Sequence, residues 1–193
     1  MTAEWALGAK GARLRVALLS AKGAPRGSVI VSPGRTESLE KYFETADELS
    51  ARGFHVLIHD WRGQGLSQRL LADRLRGHAD GFDDFAADFA VILDVYQDRL
   101  PRPWIMLGHS MGGCVALLVA GKRPDLVKGL VLADPVILSR QTYFWNHVFP
   151  PVNWLIRRNG MAARARKRRA EFKSFGEALE NYSGRGAFKS WRE

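Results

Sequence analysis

The hydrophobic residues of this chain follow two spacings, one typical of strands and one typical of helices. Over 12–19, apolar and polar residues alternate loosely, which predicts an edge strand near the start of a sheet. Short apolar or β-branched runs predict more buried strands at 28–31, 55–60, 104–107 and 128–135. The pattern therefore predicts at least four strands beyond the first.

Between these strands, apolar residues recur every three to four positions and predict amphipathic helices. One helix is predicted over about 37–51 and a second along the stripe at 82–96, and a third follows Gly113 and ends near Gly121. Strands that alternate with helices form parallel sheets through right-handed crossovers. The predicted fold class is a doubly wound α/β sheet, in which ligands bind beyond the carboxyl ends of the strands.

Composition is that of an ordinary soluble globular protein. Of the 193 residues, 46% are hydrophobic and 25% are charged, which fits one domain with a substantial core. The single cysteine, Cys114, excludes an internal disulfide and is typical of a small buried residue. No apolar run reaches the length of a membrane span, and no signal-peptide pattern opens the chain. We therefore expect a cytoplasmic protein.

The net charge of +9 is concentrated late in the chain. Basic residues are densest at Arg164 and 166–169. No recognition motif or stacking aromatic accompanies them, so nucleic-acid binding is not expected. A solvated helix face is the common explanation of such a cluster. Because Trp154, Leu155 and Ile156 come shortly before it, peripheral contact with an anionic membrane is the other hypothesis.

One short stretch carries candidate chemistry. The apolar strand at 104–107 runs directly into Gly108, Ser110 and Gly112 in G-x-S-x-G spacing, followed by Gly113. Glycines at these positions allow a sharp turn from strand into helix that leaves the serine at the tip. The spacing therefore predicts a nucleophile elbow with Ser110 as the nucleophile.

A glycine-punctuated loop at 60–67 follows another predicted strand. Its glycines lack the G-x-G-x-x-G spacing of a dinucleotide site, and no helix opens on them. We expect Arg62 of this loop to project at the carboxyl edge of the sheet together with Arg35 and Ser110.

Four motifs, in this order, resemble the serine hydrolases of the α/β-hydrolase fold. Within that fold the chain is similar to the lysophospholipase and monoacylglycerol lipase-like group, often classed with the serine aminopeptidases. The motifs cover about Arg13 to Pro135 and lie at 33–42, 60–67, 108–113 and 131–135. The resemblance implies a mostly parallel sheet with flanking helices and a helical cap.

The resemblance also implies acyl transfer to water from a small-molecule ester or lipid substrate. Ser110 would attack the carbonyl, and the backbone N–H groups of Arg35 and Met111 would hold the oxyanion. The family often has histidine where this chain has Pro33. The Arg35 side chain is either a ligand for an anionic headgroup or a solvated loop residue. We expect no cofactor and no metal ion.

The acid and the histidine that complete such a site are not evident. In this fold they follow the nucleophile, and the only later histidine, His147, lies in an aromatic segment that resembles the start of a cap. Asp134 is a candidate acid, although it also fits a turn residue before Pro135. We therefore expect a core at 1–136 and a partial, basic helical cap at 137–193, with the fold incomplete at the C-terminus.

Two functional hypotheses follow. The first is a lysophospholipase-like serine hydrolase whose activity is impaired in this 193-residue chain because the late acid and histidine are missing. The second is a non-catalytic remnant of the fold that binds lipid or a partner through its pocket and basic segment.

Overall fold

In the computed structural model of this chain, the alternating runs become strands and the apolar stripes become helices. The structure describes residues 2–73, 77–137, 139–141, 144, 169 and 171–184. The chain divides into two units, residues 1–137 and 138–193, and each is treated by itself. The assignment of 137–193 as a cap stays a prediction.

The regular elements are numbered in chain order. They are β1 (Thr2–Leu7), β2 (Arg13–Leu19), β3 (Gly27–Ser32), α1 (Phe43–Ala51), β4 (Phe54–His59), α2 (Phe82–Tyr96), β5 (Trp104–His109), α3 (Met111–Lys122), β6 (Gly129–Ala133) and α4 (Phe175–Tyr182). Short 3-10 turns lie at Ala9–Gly11, Leu39–Tyr42 and Gln97–Arg99.

The first unit is built on one six-stranded sheet with the order β1-β2-β4-β3-β5-β6. β1 and β2 are antiparallel to their neighbours, whereas β4, β3, β5 and β6 run parallel to one another. The carboxyl ends of these four strands therefore meet at one edge, where the loops after β3 and β5 come together. The predicted fold class, a mostly parallel α/β sheet with flanking helices, is confirmed.

Two details of the predicted pattern are wrong. β2 is not an edge strand, because β1 pairs with it from Thr2 opposite Leu18 to Leu7 opposite Arg13. The α-helix predicted from about residue 37 begins only at Phe43, after the 3-10 turn at Leu39–Tyr42. That turn begins where the Leu39 N–H donates to the Asp60 carboxylate at 2.8 Å, which fixes the chain in a tight bend before the helix.

Apolar side chains cover both faces of the sheet. Ile30 and Leu57 belong to the core cluster that packs with α2 and α3, and Phe89 and Ile92 of α2 are fully buried in it. Their neighbours Val29 and Val56 point the other way, into a second cluster beneath α1. Burial on both faces explains why the parallel strands form continuous apolar runs.

In the second unit, α4 begins with a side-chain cap. The Ser174 hydroxyl accepts from the Glu177 N–H at 3.2 Å, and the Glu177 carboxylate accepts from the Lys173 N–H at 2.6 Å. Phe175 and Leu179 are exposed on this helix. His147, the apolar residues 154–156 and the basic residues Arg164 and 166–168 lie outside the described residues. Over the part of the chain that is described, no helix combines the length and apolar character needed to cross a bilayer.

Candidate active site

Ser110 stands at a sharp turn between β5 and α3. Its φ of 49° and ψ of −117° are uncommon for a residue with a side chain, and such strain costs about 1–3 kcal/mol. The turn is held from both sides, because the Ser110 N–H donates to the Ala133 carbonyl at 2.9 Å and its carbonyl accepts from Gly113 at 3.1 Å. The structure therefore has the strand–turn–helix geometry around Ser110 that the glycine spacing predicts.

Close backbone approach explains the glycines of the turn. A Cβ on Gly108 would lie 2.5 Å from the Gly113 Cα. One on Gly112 would fall well inside van der Waals contact of the Ser32 and Pro33 carbonyl oxygens. The Ser32 hydroxyl also donates to the Gly112 carbonyl at 2.9 Å. The turn and the loop after β3 are therefore packed backbone against backbone.

This contact predicts that Gly112→Ala destabilises the protein by about 3 kcal/mol or more, since the backbone of two segments must move to admit one methyl group. Gly121→Ala is the matched control in the same helix, because a Cβ there meets nothing within 4 Å. We expect the control to gain up to about 1 kcal/mol from helix propensity. Urea unfolding measures both changes, and equal stabilities of the two variants would contradict the packing argument.

The loop after β3 carries Arg35 and is fixed by several hydrogen bonds. The Trp61 indole N–H donates to the Pro33 carbonyl at 2.7 Å, and the Thr36 N–H donates to the Gln64 side chain. Thr36 has a φ of 63°, so this part of the loop is also strained. Among the described residues, no hydrogen bond uses the backbone N–H of Arg35 or that of Met111. Both N–H groups are therefore available as donors.

Glu37 ties this loop to the residue that precedes Ser110. Its carboxylate accepts from the Gly34 N–H and the Tyr42 hydroxyl, each at 2.6 Å, and it also contacts the Lys41 ammonium. The His109 Nδ1 lies 3.0 Å from the Glu37 Oε1. Burial alone would raise the pKa of Glu37, but these hydrogen bonds outweigh it and lower the pKa to about 2. Glu37 therefore stays ionised and holds the loop in place.

The sequence matches a known family over most of its length. The model of the family described as "Serine aminopeptidase, S33" matches residues 23–174. The chain belongs to the serine aminopeptidase S33 family.

Two enzymes whose names refer to lipid substrates are similar in sequence to this S33 chain. Lysophospholipase L2 of Escherichia coli K12 is 39% identical over 134 residues, which cover 63% of this chain and 39% of that protein. Monoglyceride lipase of Mus musculus is 35% identical over 118 residues, which cover 61% of this chain and 37% of that protein. The S33 chain thus spans about two fifths of the length of these relatives.

A solved structure gives the same fold. A highly thermostable carboxyl esterase from Bacillus coagulans, in complex with glycerol, superposes with a TM-score of 0.65 at 20% sequence identity. The match covers 80% of the S33 chain and 50% of the esterase chain. At this identity the likeness shows the α/β-hydrolase fold.

Arg62 does not line the site of this S33 protein, and the prediction that it projects there is wrong. Its guanidinium is buried and pairs with Asp88 on α2, with Nε 2.6 Å from Oδ2, while a second nitrogen donates to the Ala9 carbonyl at 2.9 Å. The Asp88 carboxylate is buried among the apolar side chains of α2, and a buried charge requires a partner of opposite charge. Arg62 supplies that partner, which is why its side chain is buried. Arg62 therefore joins the loop after β4 to α2 and the turn after β1.

The described residues assign neither an acid nor a base to Ser110. Asp134 follows β6 with a φ of 46° and is exposed, and its carboxylate makes no hydrogen bond or ion pair with another described residue. His147 lies outside the described residues. Within the described ranges, no histidine is hydrogen-bonded to the Ser110 hydroxyl, and no group of three or more His, Cys, Asp or Glu side chains could hold a metal ion.

Proposed function

We propose that this chain belongs by lineage to the carboxylic ester hydrolases of the lysophospholipase and monoglyceride lipase type, with Ser110 as the nucleophile and with turnover impaired because no later acid and histidine are evident in it. The observation that carries the proposal is the strained turn at Ser110 beside two backbone N–H groups, of Met111 and Arg35, that no described residue uses. Family membership and the names of the relatives support the same reaction class.

In the proposed reaction, the Ser110 hydroxyl oxygen attacks the ester carbonyl carbon. The carbonyl oxygen gains negative charge, and the Met111 and Arg35 N–H groups donate to it. Met111 opens α3, so the helix dipole adds to the favourable field at this point. The alcohol leaves, and water then attacks the acyl-enzyme to release the fatty acid and the serine. A base must take the serine proton, and His147 is the first residue to test for that role.

We expect the chain to turn over short p-nitrophenyl esters negligibly, because the described residues place no base at the serine. For the same reason we expect a fluorophosphonate to label Ser110 slowly and at high probe concentration, in the single covalent step that labelling requires. Mass spectrometry of the labelled protein should locate the phosphonate on Ser110, and Ser110→Ala should abolish labelling. Ser20→Ala is the matched control, since Ser20 is exposed and belongs to the same unit. Labelling that persists in Ser110→Ala would overturn the proposal.

Ready ester turnover that disappears in Ser110→Ala would show that a base is present in the chain. His147→Gln would then test whether that base is His147. The alternative of a non-catalytic remnant, the cytoplasmic location and the peripheral contact with anionic membrane stay predictions.

A further inference from the structure

A cavity of about 480 Å³ opens beside the loop that carries Arg35. Three segments form its walls: the loop after β3, the loop after β4, and the turn that leads into α2. The side chains that matter for its chemistry are Arg35, Glu37, Arg69, His78, Phe82 and Phe85. Its volume is in the range of small-molecule sites. Arg35 and Glu37 also belong to the candidate active site, so the cavity adjoins that site.

Arg69 has an unused donor in this wall. Its terminal nitrogen donates to the Gly65 carbonyl at 3.1 Å, but its Nε is buried and finds no acceptor among the described residues. A buried donor of a charged group without an acceptor is costly, and such groups usually bind water or a ligand. Because the Nε is enclosed, an acceptor in the cavity would reach Arg69 through its two terminal nitrogens, of which one has no hydrogen-bond partner among the described residues.

Arg35 supplies a second cation. Its side chain is exposed, and no described residue forms a hydrogen bond or ion pair with its guanidinium. The loop that positions it is held rigidly by Glu37 and Gln64. Two guanidinium groups thus line one cavity, and each has N–H donors that no described residue accepts.

The acidic groups near the cavity are already paired. The Glu37 carboxylate is matched by Lys41 and accepts from Tyr42, Gly34 and His109. Asp80 lies 3.3 Å from the His78 Nε2 and 3.5 Å from the Lys10 Nζ. Asp84 lies 2.8 Å from the same lysine nitrogen. The two arginines therefore give the cavity a positive excess, while Phe82 and Phe85 give it an apolar wall.

We propose that this cavity binds a phosphate ester group through Arg35 and Arg69. Guanidinium groups suit the tetrahedral oxygens of a phosphate, with which they form charge-assisted and often paired hydrogen bonds. The phenylalanines accept the carbon skeleton that carries the phosphate. This assignment rests on the proposed function, in which the substrate is a lipid ester. The phosphate is then that of a lysophospholipid headgroup. We therefore expect lipids that carry a phosphate to bind more tightly than monoacylglycerols.

Isothermal titration of the full chain tests this with three probes: octanoyl-glycerophosphate, octanoylglycerol and inorganic phosphate. We expect the phosphate-bearing lipid to bind at least about tenfold more tightly than either of the others, from one to two charged hydrogen bonds. Equal binding by inorganic phosphate would support an anion site and overturn the lipid assignment. Equal binding by octanoylglycerol would overturn the site.

Arginine variants locate the phosphate. Arg69→Gln and Arg35→Gln should each weaken binding of octanoyl-glycerophosphate by about tenfold relative to binding of octanoylglycerol by the same variant. Arg52→Gln is the control, because it removes the same charge from an exposed residue paired with Glu48 at the end of α1. Arg69→Lys keeps the charge without the planar fork and should fall between. Equal loss in Arg52→Gln, or no loss at Arg35 and Arg69, would overturn the proposal.

The two proposals fail separately. Phosphonate labelling at Ser110 without phosphate-dependent binding would overturn the phosphate site alone. Phosphate-dependent binding without labelling at Ser110 would overturn the proposed nucleophile and leave the anion site standing.

Discussion

Replacing Asp60 with alanine will lower the free energy of unfolding by about 3–5 kcal/mol, because the buried Arg15 keeps only its pair with Glu40 and two backbone N–H groups lose their acceptor. Asp60 is fully buried, and its carboxylate accepts from the Arg15 Nε at 2.7 Å. It also accepts from the N–H groups of Leu39 at 2.8 Å and Leu66 at 2.9 Å. One side chain therefore joins β2 to the loops after β3 and β4, and all three contacts are lost together.

Urea unfolding followed by tryptophan fluorescence measures this change, since Trp61 is buried directly beside the site. Asp47→Ala is the matched control, because Asp47 pairs with Lys22 at 2.7 Å in an exposed position and should cost less than about 1 kcal/mol. Asp60→Asn keeps an acceptor oxygen and should lose less than Asp60→Ala. A midpoint for Asp60→Ala equal to that of the control would contradict the role of Asp60.

Lowering the pH from 6.5 to 3 will reduce the free energy of unfolding by about 4 kcal/mol through His59 alone. The ring is fully buried against Trp61 and Phe89, and neither nitrogen has a hydrogen-bond partner among the described residues. Burial lowers the pKa of His59 from 6.5 to about 3. Below pH 6.5 the unfolded chain binds a proton that the folded chain does not, so stability falls by about 1.4 kcal/mol per pH unit.

The window from pH 6.5 to 5 isolates this effect. The pKa values of Glu37 and Glu40 are each lowered from 4.5 to about 2, so their stabilising contribution is lost only as the pH falls below 4.5. His59→Leu should remove most of the slope in the upper window, whereas His78→Gln, at a partly exposed position, should retain it. An unchanged slope in His59→Leu would show that another group causes the acid response.

Hydrophobic spacing predicted those elements whose burial is strong. The stripe at 82–96 becomes α2 at Phe82–Tyr96, and the runs that become β3, β4 and β5 are buried on one or both faces. β1 was missed because it lies at the edge of the sheet, where Trp5 and Leu7 are exposed and Ala6 is the buried residue. A half-solvated strand with one small buried residue carries little periodic signal.

Glycine spacing predicted the turn at Ser110 because the local backbone demands it, but side-chain pairs distant in sequence gave no such signal. Arg62 and Asp88 are 26 positions apart, and Glu37 and His109 are 72 apart. Only the sheet order brings each pair together. Glu37 and Lys41 are four positions apart and form an ion pair, but this spacing does not indicate which other residues bind the carboxylate.

The backbone contact between Gly112 and the Ser32 and Pro33 carbonyls has a consequence for motion. Two segments that touch only through long side chains can separate when those side chains change rotamer. Here the two backbones are in direct contact and are also linked by the Ser32 hydroxyl, so the two segments must move together. The separation of the Arg35 and Met111 amides is then set by the rigid body of the sheet. No loop has to close over the site to set the distance between its two proposed donors. A change that alters how substrate enters the site can therefore leave the geometry of the donors unchanged.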